Sequence, residues 1–138
     1  MKIFVSACLL GENCKYSGGN NYSEKVVDFV KGHEVIAMCP EVEGGLSIPR
    51  CPAEIVNGIV TTKEGISVDK EFLGGARKVS EVVLQQNVDM AILQSRSSSC
   101  GIGKIYDGSF SRTLIDGNGV LAELLISHGI KAIDVEDL

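Results

Sequence analysis

Apolar residues fall along this chain in two kinds of segment, short unbroken runs and longer stretches with helical spacing, and the two alternate. Lys2 to Ala7 is almost continuously apolar and runs into Cys8-Leu9-Leu10-Gly11, the pattern of a strand covered by helices on both faces. Glu34 to Met38 repeats the device and stops at Cys39-Pro40, because proline cannot continue a ladder. Met90 to Leu93 predicts a third strand and Ile130 to Ile133 a fourth. Ser23 offers an N-cap to a first helix with Val26, Val27 and Val30 on one face, and Gly32 ends it. Asp69 is expected to cap a long helix. Its inner positions are Phe72, Leu73, Ala76, Val79, Val82 and Val83, while Lys70, Glu71, Lys78 and Glu81 stay outside. Gly74-Gly75 inside that helix costs helix stability, which predicts close packing there. A last helix opens at Asp116 or Asn118 and turns Val120, Leu121, Leu124 and Leu125 inward. Ile59 to Thr62 and Ile66 to Val68, split by Lys63-Glu64-Gly65, predict a small β-hairpin insertion.

This alternation predicts one α/β domain over residues 1–138, an open and mainly parallel sheet of the Rossmann/flavodoxin-like kind with helices on both faces. Two connections are longer than such a sheet needs. One runs from Glu41 through Gly44-Gly45, Pro49-Arg50 and Cys51-Pro52 to Glu54, and the other from Gln94 to Phe110. Long ordered loops tend to hold function. Gly44-Gly45, Gly101 to Gly103 and the Asp116 to Gly119 turn offer backbone N–H groups to a substrate, and the last opens a helix, which suits an anion. No Walker pattern or complete dinucleotide fingerprint follows a strand, so a nucleotide cofactor is not expected.

The chemistry concentrates on cysteine. Three of the five cysteines follow predicted strands: Cys8 and Cys39 directly, and Cys100 after Gln94 to Ser99. In an open α/β sheet the ligand crevice lies outside the carboxyl ends of the strands, so three thiols delivered there meet although they are far apart in sequence. Cys14 and Cys51 lack that placement and stand as reserve ligands. The chain has 138 residues, a net charge of -5 and no cluster of lysine and arginine, which argues against long nucleic acid or an anionic membrane as partner. No apolar run approaches a membrane span, and no export signal opens the chain, so a cytoplasmic protein with reduced thiols is expected. Three thiolates with an open fourth position suit a soft, catalytic metal centre, either zinc or an iron–sulfur cluster. His33 and His128 lie at predicted helix ends and are left out of the site.

Several segments together resemble the thiouracil desulfidase family. They are Ser6 to Gly11 with Cys14-Lys15-Tyr16, Cys39 to Leu46 with Pro49-Arg50 and Pro52, and Ser97 to Gly101 with Tyr106 to Phe110. Ser98 stands where that family commonly has proline, and Ser17 replaces its usual acidic or amide residue. The resemblance covers nearly the whole chain. It implies a [4Fe–4S] cluster held by Cys8, Cys39 and Cys100, with Glu41 and Ser97 as catalytic residues. The reaction implied is non-redox desulfuration of a thiolated nucleobase, 2-thiouracil to uracil plus hydrosulfide, with a small thiolated base or nucleoside as partner. In that role Glu41 exchanges protons with an attacking water. Ser97, with no general base beside it in sequence, is a positioning donor or proton relay rather than a nucleophile. Two alternatives stand beside this reading. A zinc-dependent nucleobase hydrolase or deaminase is suggested by Cys39-x-Glu41, although its P-C-x-x-C partner motif is missing. A non-catalytic metal or sulfide carrier would need the thiols but neither Glu41 nor Ser97. Arg50 and Arg96 are candidate substrate contacts.

Overall fold

A computed structural model describes residues 1–138. In chain order the elements are β1 (Lys2–Ser6), α1 (Glu24–Val30), β2 (Glu34–Met38), α2 (Pro40–Glu43), β3 (Ala53–Val56), β4 (Ile59–Thr62), α3 (Asp69–Gln85), β5 (Met90–Leu93), β6 (Lys104–Tyr106), β7 (Leu114–Asp116), α4 (Val120–Ser127) and β8 (Lys131–Asp134). Tight 3-10 turns occupy Ala7–Leu10 and Val135–Asp137. The four apolar runs form one parallel sheet in the order β2-β1-β5-β8. From β1 the chain steps outward to β2 and then crosses back to β5 on the other side. The direction of winding therefore reverses at β1, and a crevice opens beyond its carboxyl end.

The unbroken apolar character of β1 has a two-sided cause. Ile3 and Val5 pack with Val26 and Val30 of α1, while Phe4 packs with Ala76, Val79 and Val83 of α3 and Leu121 and Leu125 of α4. Strand alternation persists, but both faces are dry and period two disappears from the sequence. Ser23 caps α1 as expected, its hydroxyl accepting from the Val26 N–H at 3.3 Å.

Other expectations are corrected. The inserted hairpin pairs β3 with β4 through Asn57-Gly58, both at positive φ, and Ile66 to Val68 adds a short antiparallel pairing on the other edge of β4, with a bridge between Ser67 and Thr61 and hydrogen bonds of 2.8 and 2.9 Å on either side. The Asn-Gly pair closes the tighter turn that two-residue hairpins favour. Asp69 does not cap its helix. Val68 is the N-cap, and the Asp69 carboxylate instead accepts from the Val60 N–H at 3.0 Å, tying α3 to β4. The last helix starts beyond both expected caps, with Gly119 as N-cap, three residues after Asp116 and one after Asn118. The stretch from Gln94 to Phe110 contains β6, which pairs antiparallel with β7. The Glu41 loop opens with the single helical turn α2.

Close packing is found at Gly75 but not at Gly74. A Cβ on Gly75 would stand 1.8 Å from the Pro40 carbonyl oxygen, and one on Gly44 would stand 2.0 Å from that of Glu71. Two glycines thus let α2 lie directly on α3, which fixes the position of Cys39, Pro40 and Glu41.

Candidate active site

Three chain segments meet at the carboxyl end of the sheet around a cavity of about 510 Å³. Cys8 is delivered by the 3-10 turn that ends β1. Gly11, at φ +95°, closes that turn, and the Cys8 carbonyl accepts from Asn21 N–H at 3.0 Å. The Asn21 side chain donates to Cys8 Sγ at 3.4 Å. Cys39 is the N-cap of α2, where Pro40 occupies the first helical position without losing a hydrogen bond. Cys100 ends the loop from β5. That loop is held by the start of α4, whose Val120 and Leu121 N–H groups donate to the Ser98 and Ser99 carbonyls at 2.9 and 2.8 Å. The helix thereby satisfies its own unpaired N-terminal donors and immobilises the cysteine loop. Only glycine fits at position 119, where a Cβ would stand 2.5 Å from the Ser99 carbonyl carbon.

Cys8, Cys39, Cys100, Glu41 and Ser97 all line this cavity, and so does Cys14. Cys51 does not, although its neighbours Arg50 and Pro52 do. Cys14 neighbours both Cys8 and Cys39, the latter's Sγ donating to the Cys14 carbonyl at 3.8 Å, and hydrogen bonding from the Cys14 thiol is the chief influence drawing both neighbours down from 9.0 to about 7. Cys14 itself is pushed up, first by those two hydrogen bonds. Complete burial pushes Cys100 up to about 12. No three Cys, His, Asp or Glu side chains gather closely enough to share a single ion. A mononuclear zinc would need sulfur atoms within about 2.3 Å of one centre.

Glu41 is held from both sides. Its Oε1 accepts from Arg50 Nε at 3.1 Å and its Oε2 from Ser99 Oγ at 2.7 Å. Arg50 also donates to the Cys14 carbonyl at 2.8 Å and the Ser47 carbonyl at 3.2 Å, and its side chain is only 7% exposed. Arg50 is therefore a buried brace for the carboxylate. Arg96 pairs with Glu136 at the cavity rim. Ser97 Oγ accepts from the Ser99 and Cys100 N–H groups, both at 3.1 Å, and lies 2.9 Å from Ser99 Oγ. Ser98 donates to the Ala53 carbonyl at 3.0 Å and ties this loop to β3.

The glycine N–H groups at these turns are engaged within the chain. Gly44 and Gly45 donate to Pro40 and Val42, Gly101 to Ser97, Gly119 to Gly101, and Gly103 to the Asn118 side chain. The glycines themselves therefore offer no spare donor to a substrate. Ser99 and the bracing role of Arg50 were not read from the sequence. The run Ser97-Ser98-Ser99 offered three hydroxyls without saying which one turns inward.

The family described as 2-thiouracil desulfurase matches residues 3–137. The uncharacterized protein YbbK of Bacillus subtilis (strain 168) is 38% identical, with 99% of this chain and 97% of YbbK covered. Among solved structures, the [4Fe-4S]-dependent thiouracil desulfidase TudS (DUF523Vcz) superimposes with a TM-score of 0.93 at 39% identity, covering 99% of this chain and 92% of that one.

Proposed function

This chain belongs to the 2-thiouracil desulfurase family, and we propose that it hydrolyses the C–S bond of a thiolated pyrimidine such as 2-thiouracil, using a [4Fe–4S] cluster held by Cys8, Cys39 and Cys100. The donor set fits that group. Three thiols from three strand ends face one cavity, no histidine lines it, and the thiols do not converge on a single-ion shell. Soft thiolates that each take a different iron suit such a spread arrangement better than they suit one zinc. When bound, the cluster supplies a thiophilic Lewis acid at an iron without a protein thiolate.

The chain's own residues have separable tasks. Glu41, kept in place by Arg50 and Ser99, accepts a proton from the water that attacks the thiocarbonyl carbon. Two lone-pair positions remain on its carboxylate after those two hydrogen bonds. Tyr16 and Phe110 line the cavity and give it aromatic walls suited to a planar base. Water adds, sulfur leaves as hydrosulfide, and thiouracil becomes uracil with no net oxidation. Ser97 orients the Cys100 loop through the two N–H groups it accepts.

One observation supports this reading above the others, the half-buried and doubly held carboxylate of Glu41 facing the same cavity as Cys8, Cys39 and Cys100. The test is anaerobic reconstitution with iron and sulfide, followed by iron analysis, visible absorption and sulfide release from 2-thiouracil. About four irons per chain, cluster absorption and turnover that disappears in Glu41→Gln without loss of colour are expected. Full activity in Glu41→Gln, or a colourless protein retaining one zinc, would overturn it.

A further inference from the structure

Hydrogen-bond directions around Glu41 can be counted, because each serine hydroxyl has a single proton. Ser99 Oγ lies 2.7 Å from Glu41 Oε2, and an ionised carboxylate only accepts, so the Ser99 proton points to Glu41. The sulfur of Cys100, 3.8 Å from the same hydroxyl, is a weaker and more distant acceptor. Ser99 Oγ can then only accept from Ser97 Oγ at 2.9 Å. Ser97 has its own oxygen committed to the Ser99 and Cys100 N–H groups. The result is a directed chain, Ser97 to Ser99 to Glu41, anchored at its far end by Arg50 Nε. Ser99 is its middle link and is 3% exposed, so water does not replace it.

We infer that Ser99 is a positioning residue for the reaction, joining Glu41 and Ser97 into one unit and setting the direction of the hydrogen bonds between them. This rests on the functional reading given above. Ser99 aims Oε2 of Glu41 and uses up the one proton of Ser97, so Ser97 offers no proton to a substrate while this chain is intact. Removing either hydroxyl breaks the same chain, and the two losses are therefore not independent.

The experiment is a double-mutant cycle on the iron-loaded enzyme with Ser97→Ala, Ser99→Ala and the double variant, plus Ser99→Thr, which keeps the hydroxyl. Sulfide release from 2-thiouracil gives kcat and KM, and iron content and melting temperature are followed in parallel. Ser99→Ala is expected to lower kcat by about 10- to 100-fold with KM and iron content unchanged. The double variant should be no slower than the worse single one, and Ser99→Thr should recover most of kcat. Losses that multiply, or an unchanged kcat in Ser99→Ala, would overturn the inference while leaving the proposed function standing. A second readout does not depend on the substrate. In isotope-edited infrared spectra the carboxylate band that Glu41→Gln removes should shift in Ser99→Ala and return in Ser99→Thr. If wild type releases no sulfide from thiouracil, the functional reading fails, and the infrared result decides alone: a shifted band supports the link and an unmoved band refutes it.

Discussion

Gly74 and Gly75 are neighbours in one helix, yet alanine at the two positions should act in opposite directions. At Gly74 a Cβ meets nothing within 4 Å. The substitution there removes the backbone-entropy penalty of a helical glycine, a gain of about 0.5–1 kcal/mol. At Gly75 the same gain is available, but the Cβ would stand 1.8 Å from the Pro40 carbonyl oxygen, and ordinary contact begins near 3.4 Å. The opposing atom is backbone on both sides of the clash, so α2 must move away from α3 by more than an ångström. Overpacking of this kind costs about 1–3 kcal/mol or more. For a chain of this size 1 kcal/mol corresponds to about 3–4 °C in melting temperature. Gly74→Ala should therefore melt about 2–4 °C higher than wild type and Gly75→Ala lower, by up to about 10 °C once the same helix gain is subtracted from the clash, by calorimetry on the iron-free protein. Displacing α2 also displaces Cys39 and Glu41, so Gly75→Ala should take up less iron and lose turnover, while Gly74→Ala keeps both. Equal behaviour of the two variants would refute the argument that α2 rests on α3 through Gly75.

Iron loading should depend on pH with a defined sign. The depressed Cys8 and Cys39 thiols, at about 7 against 9.0, stabilise the iron-free fold progressively from pH 7 to 9 and lose that contribution as pH falls through 7. Reconstitution at pH 6 should then yield less cluster than at pH 8, measured by iron content, and equal yields would count against thiolate ligation by these two. Cys51→Ser should keep full visible absorption, whereas Cys100→Ser should lose most of it. A colourless Cys51→Ser protein would move the ligand set towards the Pro49–Pro52 loop. Arg50→Met leaves Glu41 and the Cys14 carbonyl without their guanidinium and should cost about 1.5–3 kcal/mol in chemical denaturation, with turnover falling further than iron content. A variant as stable and active as wild type would show that the brace is dispensable.

No helix is long and apolar enough to cross a membrane, and the sheet, its parallel strands and the three strand-end thiols were all readable from the sequence. They are local properties. A strand covered on both faces must be continuously apolar, proline must end a ladder at Cys39, and a serine before Val26 can cap a helix, whatever lies elsewhere in the chain. The hairpin was read only in part: the Lys63-Glu64-Gly65 turn forms, but β4 also pairs along its other edge with β3 through Asn57-Gly58, a partner the sequence reading did not include. The sequence by itself therefore determined the fold class and the residue types gathered at the carboxyl end of the sheet. Only the tertiary structure decided that Cys14 lies beside Cys8 and Cys39, that Cys51 is not among the residues lining the cavity, and that Arg50 is buried against Glu41. It also decided that Ser99 rather than Ser97 touches Glu41. Each of these depends on side-chain direction within loops brought together from distant parts of the chain, and no periodicity along the sequence encodes that direction.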